Sequence, residues 1–306
     1  MEGSKVPRDT RLVEVSGWRE WEFHWGQRTY VMGVINVTPD SFSGDGLGHD
    51  VEGAIELGLK FIREGADILD VGGESSRPVS SARVEARMSG SVAQISPQVS
   101  LEEELVRVLP VIQGLSAKSP VPLSIDTTKA KVAQEAIKAG ASMINDVWGL
   151  KSDPAIADVA AAEGVPLILN HHQDGNQYSK NVVEAVIESL AWSCERALSA
   201  GVPASHIIVD PGFGFGKTPQ HNLEIIRRLK EFRVLGHPVL LGTSRKSTIG
   251  RVLQVNMDER LEGTAATVAL AIANGVDVVR VHDVQSMVRV ARMADAIARG
   301  WLNSDD

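Results

Sequence analysis

Disulfides, long apolar segments and an excess of positive charge are all missing from this sequence. Its 306 residues include a single cysteine, Cys194, so no internal disulfide can form. No run of about 18 apolar residues occurs, and no basic start with an apolar core precedes Tyr30, which argues against membrane insertion and secretion. The net charge of −8 argues against a general nucleic-acid surface. These absences predict a cytoplasmic protein without nucleic-acid or membrane partners.

A regular alternation of two patterns fills most of the chain. Hydrophobic residues make up 43% of the sequence and the mean hydropathy is −0.03, which suits a large buried core. Eight β-branched runs are predicted as strands, at 30–37, 67–71, 122–126, 142–146, 166–171, 206–210, 238–242 and 277–283. Eight patterns with helical spacing are predicted as helices, at 51–65, 101–115, 130–140, 153–164, 181–201, 222–232, 260–275 and 287–300.

Eight consecutive strand and helix units without a linker predict the α/β class and a single (β/α)8 TIM barrel. A doubly wound sheet is the alternative, and it would need no eighth strand. Residues 1–29, which contain Trp18, Trp21 and Trp25, are predicted as an N-terminal extension that covers the bottom of the barrel. Residues 30–302 are predicted as the barrel and 303–306 as a frayed tail.

Polar and charged residues collect where the predicted strands end. In a barrel of this kind, the loops after the carboxyl ends of the strands form the active face. The first strand ends in Asn36 and passes into the glycine-rich "TPDSFSGDG", which predicts a residue delivered to that face and then a flexible cover. The other strand ends contribute Glu74, Ser76, Arg77, Asp126, Asn145, His171, Asp210, Ser244, Arg245, Lys246, Arg280 and His282.

These residues divide into two chemical groups. Asp126, Asn145 and Asp210 supply acceptors suited to the donor edge of a nitrogen-rich ring, such as a 2-aminopyrimidinone. Donors suited to phosphate oxygens come from Arg77, Lys246, Arg280 and His282. The predicted substrate is therefore a flat nitrogen-rich ring that carries a phosphate tail.

Simpler interpretations apply to some neighbouring residues. A lone aspartate at a strand end is often a cap, and Asp146 is interpreted in that way. His171 and His172 are adjacent on a strand and point to opposite faces, which disfavours a shared zinc ion. The segment "DPGFGFGKT" approaches a nucleotide-binding loop, but Pro211 stands where that motif needs glycine. Pro219 instead suits the first position of a helix that Thr218 caps.

Seven short motifs occur in order over residues 31–283: "VINVTPDSFS", "DVGGESSRP", "SIDTTK", "IND", "DPGFGFGK", "GTSRKS" and "RVHD". Together they resemble the dihydropteroate synthase family of the folate pathway. The resemblance implies condensation of 6-hydroxymethyl-7,8-dihydropterin diphosphate with p-aminobenzoate, which forms dihydropteroate and releases pyrophosphate. It also implies Mg²⁺ as the partner of the diphosphate and a homodimer built through the last helices of the barrel.

The resemblance also implies a role for each matched residue. The pterin would contact Asp126, Asn145, Asp210 and Lys246, and the diphosphate would contact Asn36, Arg77, Arg280 and His282. Asn36 would also bind Mg²⁺, and p-aminobenzoate would contact Ser76, Arg77 and Ser247. The catalytic set would be Asp126, Lys246, Arg280 and His282. The family's dissociative chemistry passes through a pterin methylene cation, which needs anionic groups near the ring and cations on the leaving group.

Two departures from the family pattern stand out. Asn170 occupies a position where the family commonly has an apolar methionine, and the segment from Gly72 to Ser100 is longer than usual. The loops after the first two strands are predicted to close over the diphosphate. Two other functions stay open: a catalytically silent pterin-binding paralogue and a pterin-dependent methyltransferase domain. The methyltransferase alternative gives no reason for "TSRKS" and "RVHD" together.

Overall fold

The computed structural model of the protein describes residues 13–38, 50–74 and 99–301. Within these ranges a hairpin of β1 (Val15–Trp18) and β2 (Trp21–His24) comes first. The following strands are β3 (Tyr30–Asn36), β4 (Ile68–Gly72), β5 (Leu123–Asp126), β6 (Met143–Asp146), β7 (Leu167–Asn170), β8 (Ile207–Asp210), β9 (Leu240–Leu241) and β10 (Val278–Val281). The helices are α1 (Val51–Glu64), α2 (Leu101–Ser116), α3 (Ala130–Lys138), α4 (Ala155–Glu163), α5 (Val182–Ser199), α6 (Pro219–Arg227), α7 (Ser247–Leu253), α8 (Leu261–Ala273) and α9 (Val284–Arg299).

Strands β3 to β10 form one parallel sheet that curls round on itself. Their order is β8-β7-β6-β5-β4-β3-β10-β9, and a parallel bridge between Val209 and Val239 joins the two edges. The eighth predicted strand, β10, pairs with both β3 and β9, so the doubly wound alternative is wrong. The predicted (β/α)8 barrel is confirmed.

The ends of the helices follow local sequence signals. Asp50 caps α1 by accepting a hydrogen bond from the Gly53 amide at 2.8 Å, and Ser100 caps α2 in the same way through the Glu103 amide at 3.1 Å. Thr218 caps α6 and Pro219 is its first residue, as predicted. Helix α6 ends at Arg227, however, and a 3-10 segment follows at Leu229–Leu235.

Helix α7 was not predicted. It has seven residues and contains Gly250, so it is too short and too weakly patterned for apolar spacing to reveal it. A side chain at position 250 would meet the Arg260 guanidinium at 2.4 Å, which explains why a glycine lies there. No described helix is long and apolar enough to cross a bilayer.

Alternate residues of the strands fill the inside of the barrel. Toward the amino ends of the strands lies an apolar layer made of Met32, Ile68, Met143, Ile168, Ile208, Leu240 and Val278. Trp18 of β1, Phe23 of β2 and Trp25, which directly follows β2, pack in the same cluster with Tyr30. The intervening strand residues belong to the larger core between sheet and helices. The predicted domain limits at 29 and 302 stay a prediction.

Candidate active site

A polar layer lies directly above the apolar layer inside the barrel. Because successive side chains alternate across a strand, the residue two positions beyond each apolar-layer residue also faces inward. On five strands that residue is polar: Asp70, Asn145, Asn170, Asp210 and Arg280. The two aspartates and two asparagines are buried, with exposed fractions of 0 to 4%. The sequence thus places its polar strand residues where the strands open onto the active face.

Arg280 connects two carboxylates in this polar layer. Its Nε donates to Oδ2 of Asp70 at 2.6 Å, and its Nη2 donates to Oδ2 of Asp126 at 2.7 Å. The Nδ2 of Asn145 donates to the same Asp70 oxygen at 3.1 Å. Burial raises the pKa of Asp126 to about 7, with Arg280 opposing the shift and the Asp70 carboxylate adding to it. Asp126, Asn145 and Arg280 thus lie together inside the barrel, although the sequence assigns Arg280 to the phosphate group and the other two to the ring.

Sequence reasoning missed Asp70, which holds the centre of this network. The available signal was a charged residue inside the apolar run "DILDV", two positions after an inward-facing isoleucine. A carboxylate at that place cannot be a helix cap or a surface charge, because both faces of a barrel strand are covered. Only a buried cation or a donor-rich ligand can satisfy it.

Asp210 and Lys246 form a second group on the far side of the barrel. Asp210 accepts a hydrogen bond from the Gly212 amide at 2.7 Å. Lys246 donates to the Phe213 carbonyl, and its Nζ lies 4.2 Å from the centroid of the Phe215 ring. Desolvation of its ammonium lowers the pKa of Lys246 to about 8, against the opposing effect of Asp210. Lys246 therefore titrates close to neutral pH.

Lys217 shapes the loop between Asp210 and α6. Its Nζ donates to the carbonyls of Gly212 and Phe215, both at 2.9 Å, and lies 2.8 Å from Nδ1 of His171. Gly212 has a φ of +72°, and a side chain there would meet the His171 carbonyl at 1.9 Å. Burial holds the pKa of Lys217 well below its usual value. The lysine of "FGKT" is therefore a brace for the loop and precedes the first turn of the helix.

The loops after β9 and β10 are tied to each other. Nδ1 of His282 lies 3.0 Å from Oγ of Ser244. Arg245, which has a φ of +58°, donates its Nε to Oδ2 of Asp283 at 2.9 Å and pairs with Oδ1 through Nη2. Arg245 thus turns away from the polar layer. Lys246 follows Arg245 in the chain and His282 precedes Asp283. The ion pair therefore fixes the distance between Lys246 and His282.

Asn36 ends β3 at the same level as Asp126. Register pairs Asn36 with Gly72, and Gly72 with Asp126 on the next strand. Its half-buried amide oxygen is a hard ligand of the kind that suits Mg²⁺. In the described ranges no three His, Cys, Asp or Glu side chains are grouped so that they could hold a metal ion. Ser247 is exposed at the start of α7, while Ser76 and Arg77 lie outside the described residues.

Asp146 and the two histidines after β7 take the positions expected of them. Asp146 accepts hydrogen bonds from the amides of Trp148 at 2.9 Å and Leu150 at 2.6 Å, so its structural role is confirmed. His171 contacts Lys217, whereas the His172 ring stacks on Trp148 with centroids 3.9 Å apart. Burial lowers the pKa of both histidines, which keeps the rings neutral.

A buried ion-pair cluster lies beside the base of the loop after β4. Lys129 donates to Oε2 of Glu74 at 2.6 Å and to Oε2 of Glu104 at 2.5 Å. Glu104, in the first turn of α2, is fully buried. Sequence reasoning missed Lys129 and Glu104, because an acidic residue in a first helical turn is usually exposed.

Comparison with known proteins shows the family to which this chain belongs. The family model for pterin binding enzymes matches residues 32–282. The chain therefore belongs to the pterin-binding enzyme family.

Individual similar proteins show where the chain lies within this family. The chain is 46% identical to a dihydropteroate synthase of Clostridium beijerinckii, over 91% of this chain and 97% of the relative. It is also 46% identical to a dihydropteroate synthase of Bacillus subtilis, over 89% of each chain. A crystal structure of Clostridium difficile dihydropteroate synthase in the presence of pteroic acid is 47% identical, with a TM-score of 0.82 over 90% of this chain and 99% of that one. Within its family, the chain groups with the dihydropteroate synthases.

A second solved structure is informative for its ligand. Xanthomonas albilineans dihydropteroate synthase, solved with 4-aminobenzoic acid, is 39% identical and has a TM-score of 0.80. The match covers 90% of this chain and 95% of that one.

Proposed function

We propose that this protein condenses 6-hydroxymethyl-7,8-dihydropterin diphosphate with p-aminobenzoate, forming dihydropteroate and pyrophosphate. The observation that carries the proposal is the polar layer inside the barrel. There Arg280 bridges Asp70 and Asp126 at 2.6 and 2.7 Å, and Asp210 lies with Lys246 on the other side. The names and ligands of the similar proteins support the same reaction.

In this proposal the acceptors of the polar layer bind the pterin ring. Asp126 and Asp210 accept hydrogen bonds from ring N–H groups, and Asn145 offers its Oδ1 because its Nδ2 is engaged by Asp70. Lys246 donates to a ring acceptor. The two carboxylates also stabilise positive charge that develops on the pterin methylene as the bond to the leaving group stretches. The aniline nitrogen of p-aminobenzoate then forms a bond to the methylene carbon, whose bond to the pyrophosphate oxygen breaks, and the proton of the nitrogen passes to solvent.

The diphosphate binds next to the pterin, where cations can reach it. Two of the three nitrogens of the Arg280 guanidinium are engaged by Asp70 and Asp126, and the remaining Nη1 is available to a phosphate oxygen. His282 and Arg77 complete the donors, and Asn36 with the diphosphate would hold Mg²⁺, which neutralises charge on the departing pyrophosphate. Ser247, with Ser76 and Arg77, binds p-aminobenzoate. Arg280 thereby links the two halves of the substrate.

We also propose that the protein acts as a homodimer in the cytoplasm. Apolar side chains of α8, α9 and the residues after them are exposed although these helices pack together: Leu270 is 57% exposed, Met293 63%, Ile297 75% and Trp301 77%. Exposed apolar side chains on two helices that pack together favour association. A composition with no disulfide suits a reducing compartment.

Pyrophosphate release tests the reaction. We expect release that requires both the pterin diphosphate and p-aminobenzoate, with dihydropteroate formed in equal amount. Release without p-aminobenzoate would identify a hydrolase, and pterin binding without release would identify a silent paralogue. Lys246→Met serves as the inactive control, because it removes the ammonium and leaves the barrel strands unchanged.

A further inference from the structure

Asn170 has an amide that nothing in the described part of the protein satisfies. The residue is the last of β7 and only 4% exposed. Its Oδ1 is fully buried without a hydrogen-bond partner, and its Nδ2 makes no hydrogen bond to any described residue either. A buried polar group left unpaired costs about 1–3 kcal/mol, so this amide does not stabilise the free protein and is open to a ligand.

A second buried asparagine shows what a structural amide looks like in this protein. Asn222 accepts from the Gly214 amide at 2.8 Å and donates to Oγ1 of Thr248 at 2.8 Å. Both ends of its amide are therefore used, and the residue connects α6 to the loop before it and to α7. Asn170 makes neither kind of contact.

The position of Asn170 places its amide among the proposed pterin ligands. It lies two residues beyond Ile168 of the apolar layer and pairs in register with Asp210. Its Oδ1 lies against Gly212, where an added side chain would be 2.7 Å away. Among the described side chains, the fully buried atoms without a hydrogen-bond partner include Oδ1 of Asn170 but not its Nδ2, so the branch of the amide that carries Nδ2 keeps part of its surface open. That branch faces the barrel interior.

The chemistry of the layer calls for a donor at this place. Asp126 and Asp210 are acceptors, and the Nδ2 of Asn145 donates to Asp70. A pterin ring also carries several acceptors, and the single ammonium of Lys246 cannot satisfy all of them. We propose that Asn170 is a specificity-determining residue that donates a hydrogen bond from Nδ2 to an acceptor of the pterin ring. The inference rests on the proposed function and assigns a role to Asn170, one of the two departures from the family pattern.

Asn170→Met tests this inference, because methionine fills a similar volume without a hydrogen-bonding group. We expect the Kd for 6-hydroxymethylpterin, measured by calorimetry, to rise roughly three- to tenfold, the effect of one neutral hydrogen bond. In turnover the KM for the pterin diphosphate should rise with little change in kcat, and the KM for p-aminobenzoate should stay constant. The melting temperature should stay equal or rise, because an unpaired buried amide is removed.

Asn222→Met is the matched control, since it removes an amide that is fully paired. Asn222→Met should lower the melting temperature. If Asn170 were purely structural, Asn170→Met would lower it as well. Wild-type pterin affinity in Asn170→Met, or a lower melting temperature with unchanged affinity, would overturn the inference. The calorimetry needs no turnover, so a wild-type protein that binds the pterin but releases no pyrophosphate would refute the proposed function alone.

Discussion

At the residue scale, two aspartates at neighbouring strand ends have opposite roles. Asp126 faces Arg280 inside the barrel, whereas Asp146 accepts two backbone amides at the start of the next loop. We expect Asp126→Asn to weaken pterin binding about 10- to 100-fold by calorimetry, the usual range for a hydrogen bond to a charged group. Asp146→Asn is the control and should lower the melting temperature while pterin affinity stays within twofold. Equal affinity losses in the two variants would contradict the assignment.

Lys246 predicts a pH dependence of turnover. Its pKa is lowered to about 8 by desolvation, so its ammonium is lost in the folded protein as pH rises through that value. Because the unfolded lysine keeps its proton up to higher pH, stability of the free protein should increase between pH 8 and the ordinary lysine pKa. The kcat/KM for the pterin diphosphate should instead fall over the same range. Lys246→Arg should extend activity to higher pH, and an unchanged alkaline limb would exclude Lys246 as its source.

The residues that sequence reasoning found and missed differ in a physical way. Asp126, Asn145 and Asp210 lie at strand ends and Lys246 lies in the loop after β9, where loop composition marks the active face. Asp70 lies inside a strand, and only the register of inward-facing residues reveals its direction. No loop motif marks Lys129 or Glu104. Their pairing depends on how α2 packs beside β4 and β5. Local patterns predict such positions poorly, because burial there is a tertiary property.

At the scale of elements, the Arg245–Asp283 ion pair couples the loops after β9 and β10. Both side chains are about three-quarters buried, and Asp283 immediately precedes α9. Arg245→Ala should reduce kcat/KM several-fold, because Lys246 and His282 lose their common support, while pterin-free stability changes little. Arg228→Ala is the control: it removes ion pairs with Glu231 and Glu224 and a hydrogen bond to Asn181, none of which involves a proposed site residue, and it should leave turnover unchanged. Identical steady-state constants for Arg245→Ala and wild type would rule out a positioning role.

The cluster of Lys129 with Glu74 and Glu104 predicts a large stability effect. Lys129→Met would leave the fully buried Glu104 carboxylate without its cation, and urea unfolding should show a loss of about 3–5 kcal/mol. Adding Glu104→Leu should recover most of that loss, because the unpaired charge is removed as well. Lys131→Met, which breaks an exposed pair with Glu135, should change stability by less than about 1 kcal/mol. A failure of the double variant to recover would point to lost packing.

At the scale of the whole molecule, the exposed apolar residues of α8 and α9 predict the oligomeric state. Met293→Glu with Ile297→Glu should convert the proposed dimer to a monomer in sedimentation experiments, because two charges would enter the interface. Val106→Glu, at an equally exposed valine on α2, is the control and should remain dimeric. A wild-type protein that sediments as a monomer would refute the homodimer.

The barrel architecture was predictable because eight β-branched runs and their helices repeat with little interruption. The strand bounds agree within a few residues, and the largest differences are in β10, predicted at 277–283 and observed at Val278–Val281, and in β9, where the predicted 238–242 pairs as a strand only at Leu240–Leu241. That strand closes the barrel through a single bridge, so its backbone pairing is short even though its composition is typical of a strand. An apolar, β-branched composition predicts that a segment is buried. The length of the paired strand depends instead on how the sheet curves.

The floor of the barrel has a consequence for the order of events in catalysis. The apolar layer, with Trp18, Phe23 and Trp25 packed in the same cluster, closes the interior at the end where the strands begin. Every molecule must then arrive and depart through the opposite mouth. A ligand seated in the polar layer directly above this floor has to enter before anything bound nearer the mouth, and it has to leave last. Steady-state kinetics should therefore be sequential and ordered, with the pterin substrate binding first.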